Sequence, residues 1–211
     1  RINHGLFPKL ARPEHGHLSD FYLIEQDDPE KIVKSITELC GRRIPERFDL
    51  DPFSQIQVLT PMHKGIVGTT HLNSVLQRTL NPARKSITRM GTSFSEGDKV
   101  MQVRNNYTKE VFNGDIGTIA DIDAQSATVT VMYEGVPVRY EATELDELIL
   151  AYAISVHKSQ GSEYSAVVMP VTTQHFVLLQ KNLIYTGITR AKELVVLIGT
   201  RKALHMAIKN D

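Results

Sequence analysis

From about Glu96 to Asp146 the apolar residues fall into a period of two, as KVMQVR, GTIADID, ATVTVMY and VPVRYEA follow one another. Asn113-Gly114, Asp123 to Ser126 and Glu134-Gly135 separate these runs, and such residues close hairpins. Four or five short strands in about fifty residues leave no room for parallel crossovers, each of which needs about a dozen residues. The segment is therefore expected to fold as a small antiparallel barrel.

The flanks follow a different rule. Asp28-Pro29 caps EKIVKSITELCG, whose Ile32, Val33, Ile36, Leu39 and Cys40 share one helical face before Gly41. IQVLT (Ile56–Thr60) reads as a strand, and Thr69 to Leu80 reads as a helix stopped by Asn81-Pro82. After Leu145 the pattern returns as AVVMPV, a helix from about Phe176 to Ala191, the strand LVVLIG (Leu194–Gly199) and a closing helix from Arg201. Alternating strands and helices predict an α/β layer over residues 1–95 and 147–211, with the barrel of 96–146 inserted. Charge divides the chain at the same place: of its 24 Lys/Arg and 24 Asp/Glu, four and ten lie between Glu96 and Asp146, leaving twenty against fourteen elsewhere. A net of −6 thus faces a net of +6, and the basic excess suits a phosphate-bearing partner.

The composition, 41% hydrophobic and 23% charged, is that of a globular protein. No apolar run approaches the ~18 residues of a membrane span, and no signal pattern opens the chain, so a cytoplasmic protein without a membrane partner is expected. Cys40, as the single cysteine, excludes an internal disulfide and reads as a buried thiol. The chain starts at Arg1 in a loop-like segment, which points to a longer parent polypeptide. His15 and His17 stand near Asp20, but a metal site needs a further ligand and an oriented second shell, so Pro13 to Asp28 is read as loop and edge strand, with no metal site.

Chemistry concentrates in two places. His157, Lys158, Ser159, Gln160, Gly161 and Glu163 crowd together just before a strand. Gly161 lets backbone approach a ligand, His157 and Lys158 suit phosphate, and Ser159 and Gln160 add neutral hydrogen bonds. Glu163 repels phosphate unless it meets a sugar hydroxyl, a cation or an arginine. By themselves these residues read more readily as an exposed polar loop. Arg190 lies at the end of a helical run, where an arginine reaches a transferring phosphoryl group or pairs with Glu163 or Glu193.

Together, VHKSQGSE and LIYTGITRAKELVVLIG resemble the fifth and sixth motifs of superfamily 1 DNA helicases, in the RecD-like branch that includes the exodeoxyribonuclease V alpha subunit. VLTPMHKGIVGTTHLNSVLQRTLNP (Val58–Pro82) is similar to the fourth motif and its helix. GDKVMQVRNNY and VFNGDIGTI resemble the start of that family's inserted barrel. The likeness runs from about Ile56 to Gly199, and residues before about Ser54 resemble nothing specific.

The resemblance implies an α/β RecA-like motor domain of the P-loop-NTPase type, called 2A, carrying a Src-homology-3-like β-barrel, 2B. It implies the C-terminal part of an ATP-dependent 5′ to 3′ DNA helicase of recombination and repair, with ATP and Mg²⁺ bound mainly by a preceding RecA-like domain of the same chain. No G-x-x-x-x-G-K-[ST] occurs in these residues, so they are not expected to hydrolyse ATP alone. By the same likeness Arg190 is catalytic, and Gly161, Glu163, Lys64 and Tyr185 border the nucleotide. Lys64 stands where the family often has arginine, keeping the charge without the bidentate fork. Thr60, His63, Asn105, Asn106, His157, Lys158 and Ser159 would contact single-stranded DNA. Junctions of single and double strands, and the other exonuclease V subunits, are the implied partners. The acidic barrel is expected to guide strands sterically, with Tyr107 and Phe112 filling its core rather than stacking on bases. A conjugative relaxase shares these motifs, and a binding module derived from the same fold is the non-enzymatic alternative.

Overall fold

The computed structural model describes residues 19–82, 85–173 and 180–210. Contacts divide the chain into two units, one of residues up to Leu72 with those from Ala153 onward, the other of Asn73–Tyr152.

In the first unit five strands, numbered in chain order, form a wholly parallel sheet. Its order is β1 (Phe21–Glu25), β12 (Ala191–Gly199), β11 (Tyr164–Val171), β2 (Ile56–Thr60) and β10 (Ala153–Ser155). β2 is buried throughout and β11 at all but one residue, which is why both read as apolar runs rather than alternations. β1 is the expected edge strand, while His15 and His17 lie outside the described residues.

α1 (Pro29–Glu38) starts where the sequence places it, with the Asp28 carboxylate accepting from the Glu30 and Lys31 amides. It does not stop at Gly41. Leu39–Arg43 continues as a wider turn in which the Ile44 amide donates to Leu39 O, and α2 (Ile44–Phe48) follows. The wider turn keeps Leu39, Cys40 and Ile44 buried, and that packing outweighs the roughly 1 kcal/mol a helical glycine costs. Asp49, in the left-handed region at φ 54°, closes the segment instead.

Of the helix expected over about 176–191, residues 176–179 lie outside the described residues; α4 runs Lys181–Ile188, and Ala191 already belongs to β12. Sheet pairing sets its C-terminal end, because the Tyr164 amide donates to Arg190 O at 2.8 Å. α5 (Arg201–Lys209) is capped by the Thr200 hydroxyl, which accepts from the Ala203 amide. No helix among the described residues is long and apolar enough to cross a membrane.

In the second unit, β5 (Lys99–Gln102), β6 (Ile116–Asp123), β7 (Thr128–Tyr133) and β8 (Val136–Glu141) lie in the predicted runs. A 3-10 segment, Ala142–Glu147, leads to β9 (Leu148–Leu150), which pairs with β5 to give the antiparallel order β8-β7-β6-β5-β9. A bulge between Ile119 and Asp121 bends β6. The unit is wider than 96–146, for it also takes in most of α3 (Thr69–Leu80) and a hairpin of β3 (Ser86–Arg89) and β4 (Thr92–Ser95).

Asp98 explains that extension. It is fully buried, and one of its oxygens accepts from Asn81 Nδ2 at 2.7 Å and Tyr152 Oη at 2.9 Å. The other accepts from Gln77 Nε2 and the Ser95 amide, both at 2.6 Å. One carboxylate thus ties the end of α3, the end of β4 and Tyr152 to the start of β5. A second polar chain runs through the sheet: Tyr133 meets Tyr140, whose hydroxyl donates to Gln102 Oε1, and Gln102 Nε2 donates to Glu147. Burial pushes the Tyr140 phenol up to about 12, so it stays a neutral donor.

Tyr107 and Phe112 do not fill this core. They are 76% and 45% exposed and meet edge to face with centroids 6.0 Å apart. They sit on the long β5–β6 connection, outside the alternating positions whose side chains turn inward.

Candidate functional site

Because β10 and β2 are parallel and pair Ser155 with Thr60, the connections leaving their carboxyl ends begin side by side. One is 61–68 and the other is 156–163, which contains HKSQGSE. The second connection leads to β11, also parallel to β2, whose Ala166 lies opposite Ile56. It must therefore travel back along the sheet by four residue steps, roughly 13 Å. α4 runs the same way and ends at Thr189-Arg190. One short segment thus reaches both ends of the sheet.

On its first side a hollow of about 200 Å³ is lined by His157, Gln160, Asn182, Leu183 and Thr186, among others. His157 is exposed and Lys158 half-buried, with its amide donating to Ser155 Oγ at 3.3 Å. Gly161 adopts φ +88°, and a methyl group there would meet nothing within 4 Å. The backbone at this point is open to a ligand.

On its second side stands Arg190, half-buried. Its Nε donates to Thr186 O at 3.3 Å, Nη1 to Ser162 O at 3.2 Å and Nη2 to Thr189 Oγ1 at 3.4 Å. Glu163 does not pair with it, because that carboxylate meets Lys192 at 3.3 Å. Among the described residues no carboxylate lies within ion-pair distance of Arg190, so three neutral oxygens at long range hold its charge. An anionic oxygen would displace them favourably. Burial pushes the neighbouring Tyr164 phenol up, against a Ser162 hydrogen bond and the Arg190 charge, which act the other way. Tyr185 is exposed on α4.

The 61–68 connection presents His63 and Lys64 to solvent, with His63 Nδ1 3.2 Å from Thr69 Oγ1. Its carbonyls receive the first amides of α3, Thr69 to Met62 O and Thr70 to His63 O. Gly68 permits this fold-back, because a Cβ there would lie 2.4 Å from Lys64 O.

Two of the residues expected to contact DNA point inward. Thr60 and Ser159 are fully buried, and their hydroxyls donate to Val67 O at 2.8 Å and to Val156 O at 2.7 Å. They hold the two connections in shape and do not reach the surface. Asn105 and Asn106 belong to the second unit, where both amides brace the β5–β6 connection: Asn105 Oδ1 accepts from the Asn113 amide, and Asn106 bonds the Lys109 amide and Glu147. Sequence reasoning passed over Asn182 and Thr186, although their spacing of four on α4 puts them on one helix face.

Comparison with known proteins bears on the family and the fold. Residues 72–133 match the family model described as the ATP-dependent RecD-like DNA helicase SH3 domain, and residues 150–198 the UvrD-like helicase C-terminal domain. The chain is 38% identical over 152 residues to the ATP-dependent RecD2 DNA helicase of Deinococcus radiodurans, covering 72% of this chain and 21% of that protein. It is 28% identical over 216 aligned positions to the RecBCD enzyme subunit RecD of Buchnera aphidicola, covering 92% of this chain and 34% of that protein. The chain therefore spans about a fifth to a third of the length of these relatives. Among solved structures, the Pif1 helicase from Bacteroides in complex with ADP-AlF3 and ssDNA superposes over 85% of this chain and 47% of that one. The TM-score is 0.56 at 16% identity, a likeness of fold.

Proposed function

The chain belongs to the RecD-like superfamily 1 DNA helicases, and on that premise we propose that it supplies the arginine finger and part of the single-stranded DNA track of an ATP-driven motor moving 5′ to 3′. Arg190 is the catalytic residue of this reading. Gly161, Glu163, Lys64 and Tyr185 border the nucleotide, and His63, His157 and Lys158 contact the DNA backbone, which positions a strand without reading its sequence. Another RecA-like domain provides the phosphate loop, with junction DNA and other exonuclease V subunits as further partners. ATP with Mg²⁺ supplies a terminal phosphoanhydride to be hydrolysed.

The observation that carries the reading is the bond from Arg190 to Ser162 O within the segment that also bears His157 and Lys158. When Arg190 turns to an anionic oxygen it gives up Ser162 O and Thr186 O. The Thr186 residue lines the same hollow as His157 and Gln160, so the change at the finger is felt where the DNA is gripped. This is how one loop couples two ligands.

The test is Arg190→Ala in the full-length protein. ATP hydrolysis and unwinding are expected to fall by about 10³-fold or more, the usual contribution of such fingers. Nucleotide-free binding to single-stranded DNA is expected to stay within about twofold, since Arg190 holds only protein oxygens here. Equal loss of both activities would sink this division of roles.

A further inference from the structure

We propose that the antiparallel unit carries a docking cleft for a basic, apolar peptide segment of a partner protein. A hollow of about 390 Å³ lies between the β5–β6 connection and the β7–β8 hairpin, with Phe112, Ile116, Tyr133, Val136 and Val138 in its lining. Val136 is 61% exposed and Phe112 45%, and Tyr107 extends the apolar surface by meeting the Phe112 ring edge on. Exposed apolar side chains gathered around a hollow, rather than scattered singly, mark an interaction site.

The charges around the cleft select the occupant. Glu110, Asp115 and Glu134 belong to its lining. The one cation among the lining residues, Lys109, is already committed: it bonds Glu144 at 2.6 Å and Arg139 O at 2.8 Å, and lies 4.4 Å from the centre of the Tyr140 ring. Glu110 and Glu134 are held at φ 55° and φ 46°, a backbone region where asparagine or glycine costs less. An acidic rim of this kind repels phosphate and attracts lysine or arginine, as does the net of −6 between Glu96 and Asp146. A segment with one or two cationic side chains beside aliphatic or aromatic ones satisfies both the rim and the hollow. DNA satisfies neither the charge nor the depth.

The test selects a random dodecapeptide phage library on the 211-residue chain, then titrates the enriched peptides, labelled with fluorescein, by anisotropy. Enriched sequences are expected to carry net positive charge with apolar residues. Their affinity is expected to fall by about tenfold in Phe112→Ser, to weaken also in Glu134→Gln, and to be unaffected by oligothymidylate. Both substitutions are at exposed positions, and unchanged thermal melting confirms that each variant is folded. Absence of enrichment, an acidic consensus, or binding that both variants retain overturns the proposal. Oligothymidylate binding lost in the same two variants overturns it as well, assigning the cleft to nucleic acid.

Discussion

Asp98 stands in the sequence EGDKV as one more polar residue before a strand, yet its carboxylate takes four hydrogen bonds in a fully buried position. All four partners are donors. Asp98→Asn keeps the volume but turns an amide group toward two of those donors, leaving buried groups unsatisfied. We expect it to lower the unfolding free energy by about 3 kcal/mol or more in urea denaturation. A loss below about 1 kcal/mol would mean that the network is dispensable. His157, Lys158 and Arg190 could be picked out as candidates, since side chains that can donate to phosphate beside a glycine-bearing loop are recognised by type alone. The inward turn of Thr60 and Ser159 could not be read, because nothing local tells a hydroxyl that bonds a backbone carbonyl from one that faces solvent.

Among elements, the two loops that frame the candidate site use glycine for different reasons. Gly68 allows close packing, with a Cβ there placed 2.4 Å from Lys64 O and 2.7 Å from His63 O. Gly161 allows a positive φ in open space. Gly68→Ala must therefore displace backbone and is expected to lower the urea midpoint clearly. Gly161→Ala bears only the left-handed penalty of roughly 1–2 kcal/mol. The reverse order would show that the 61–68 connection is soft. Element types were readable from periodicity, and the ends of β2 and α3 fell where expected, because a buried strand and an Asn-Pro stop are local signals. The helix running through Gly41 and the pairing of β9 with β5 were not readable, since both are settled by residues distant in the chain.

Over the whole molecule, the net of −6 between Glu96 and Asp146 stands against a basic excess in the rest of the chain. Lys64 and Lys158 lie on the motor unit, whereas Arg104 and Lys109 of the barrel are already paired with Asp146 and Glu144 at 2.8 and 2.6 Å. Lys99, the remaining lysine of the barrel, is buried. If DNA lies on the motor unit, Lys64→Ala and Lys158→Ala should each reduce the slope of log affinity against log salt by about 0.7 for a single strand. Arg104→Ala and Lys109→Ala should leave that slope unchanged, and a larger effect from the barrel pair would move the DNA path there. The family, the α/β layer, the inserted strands and the cationic residues are written in the order of the amino acids, because motif order, hydrophobic period and side-chain chemistry are properties of neighbouring positions. The folded chain alone shows that Arg190 rests on the HKSQGSE segment, that Thr60 and Ser159 turn inward, and that Tyr107 and Phe112 face solvent. Each of these depends on which strands lie side by side and on which polar groups must be satisfied once buried, and no local stretch of chain encodes that.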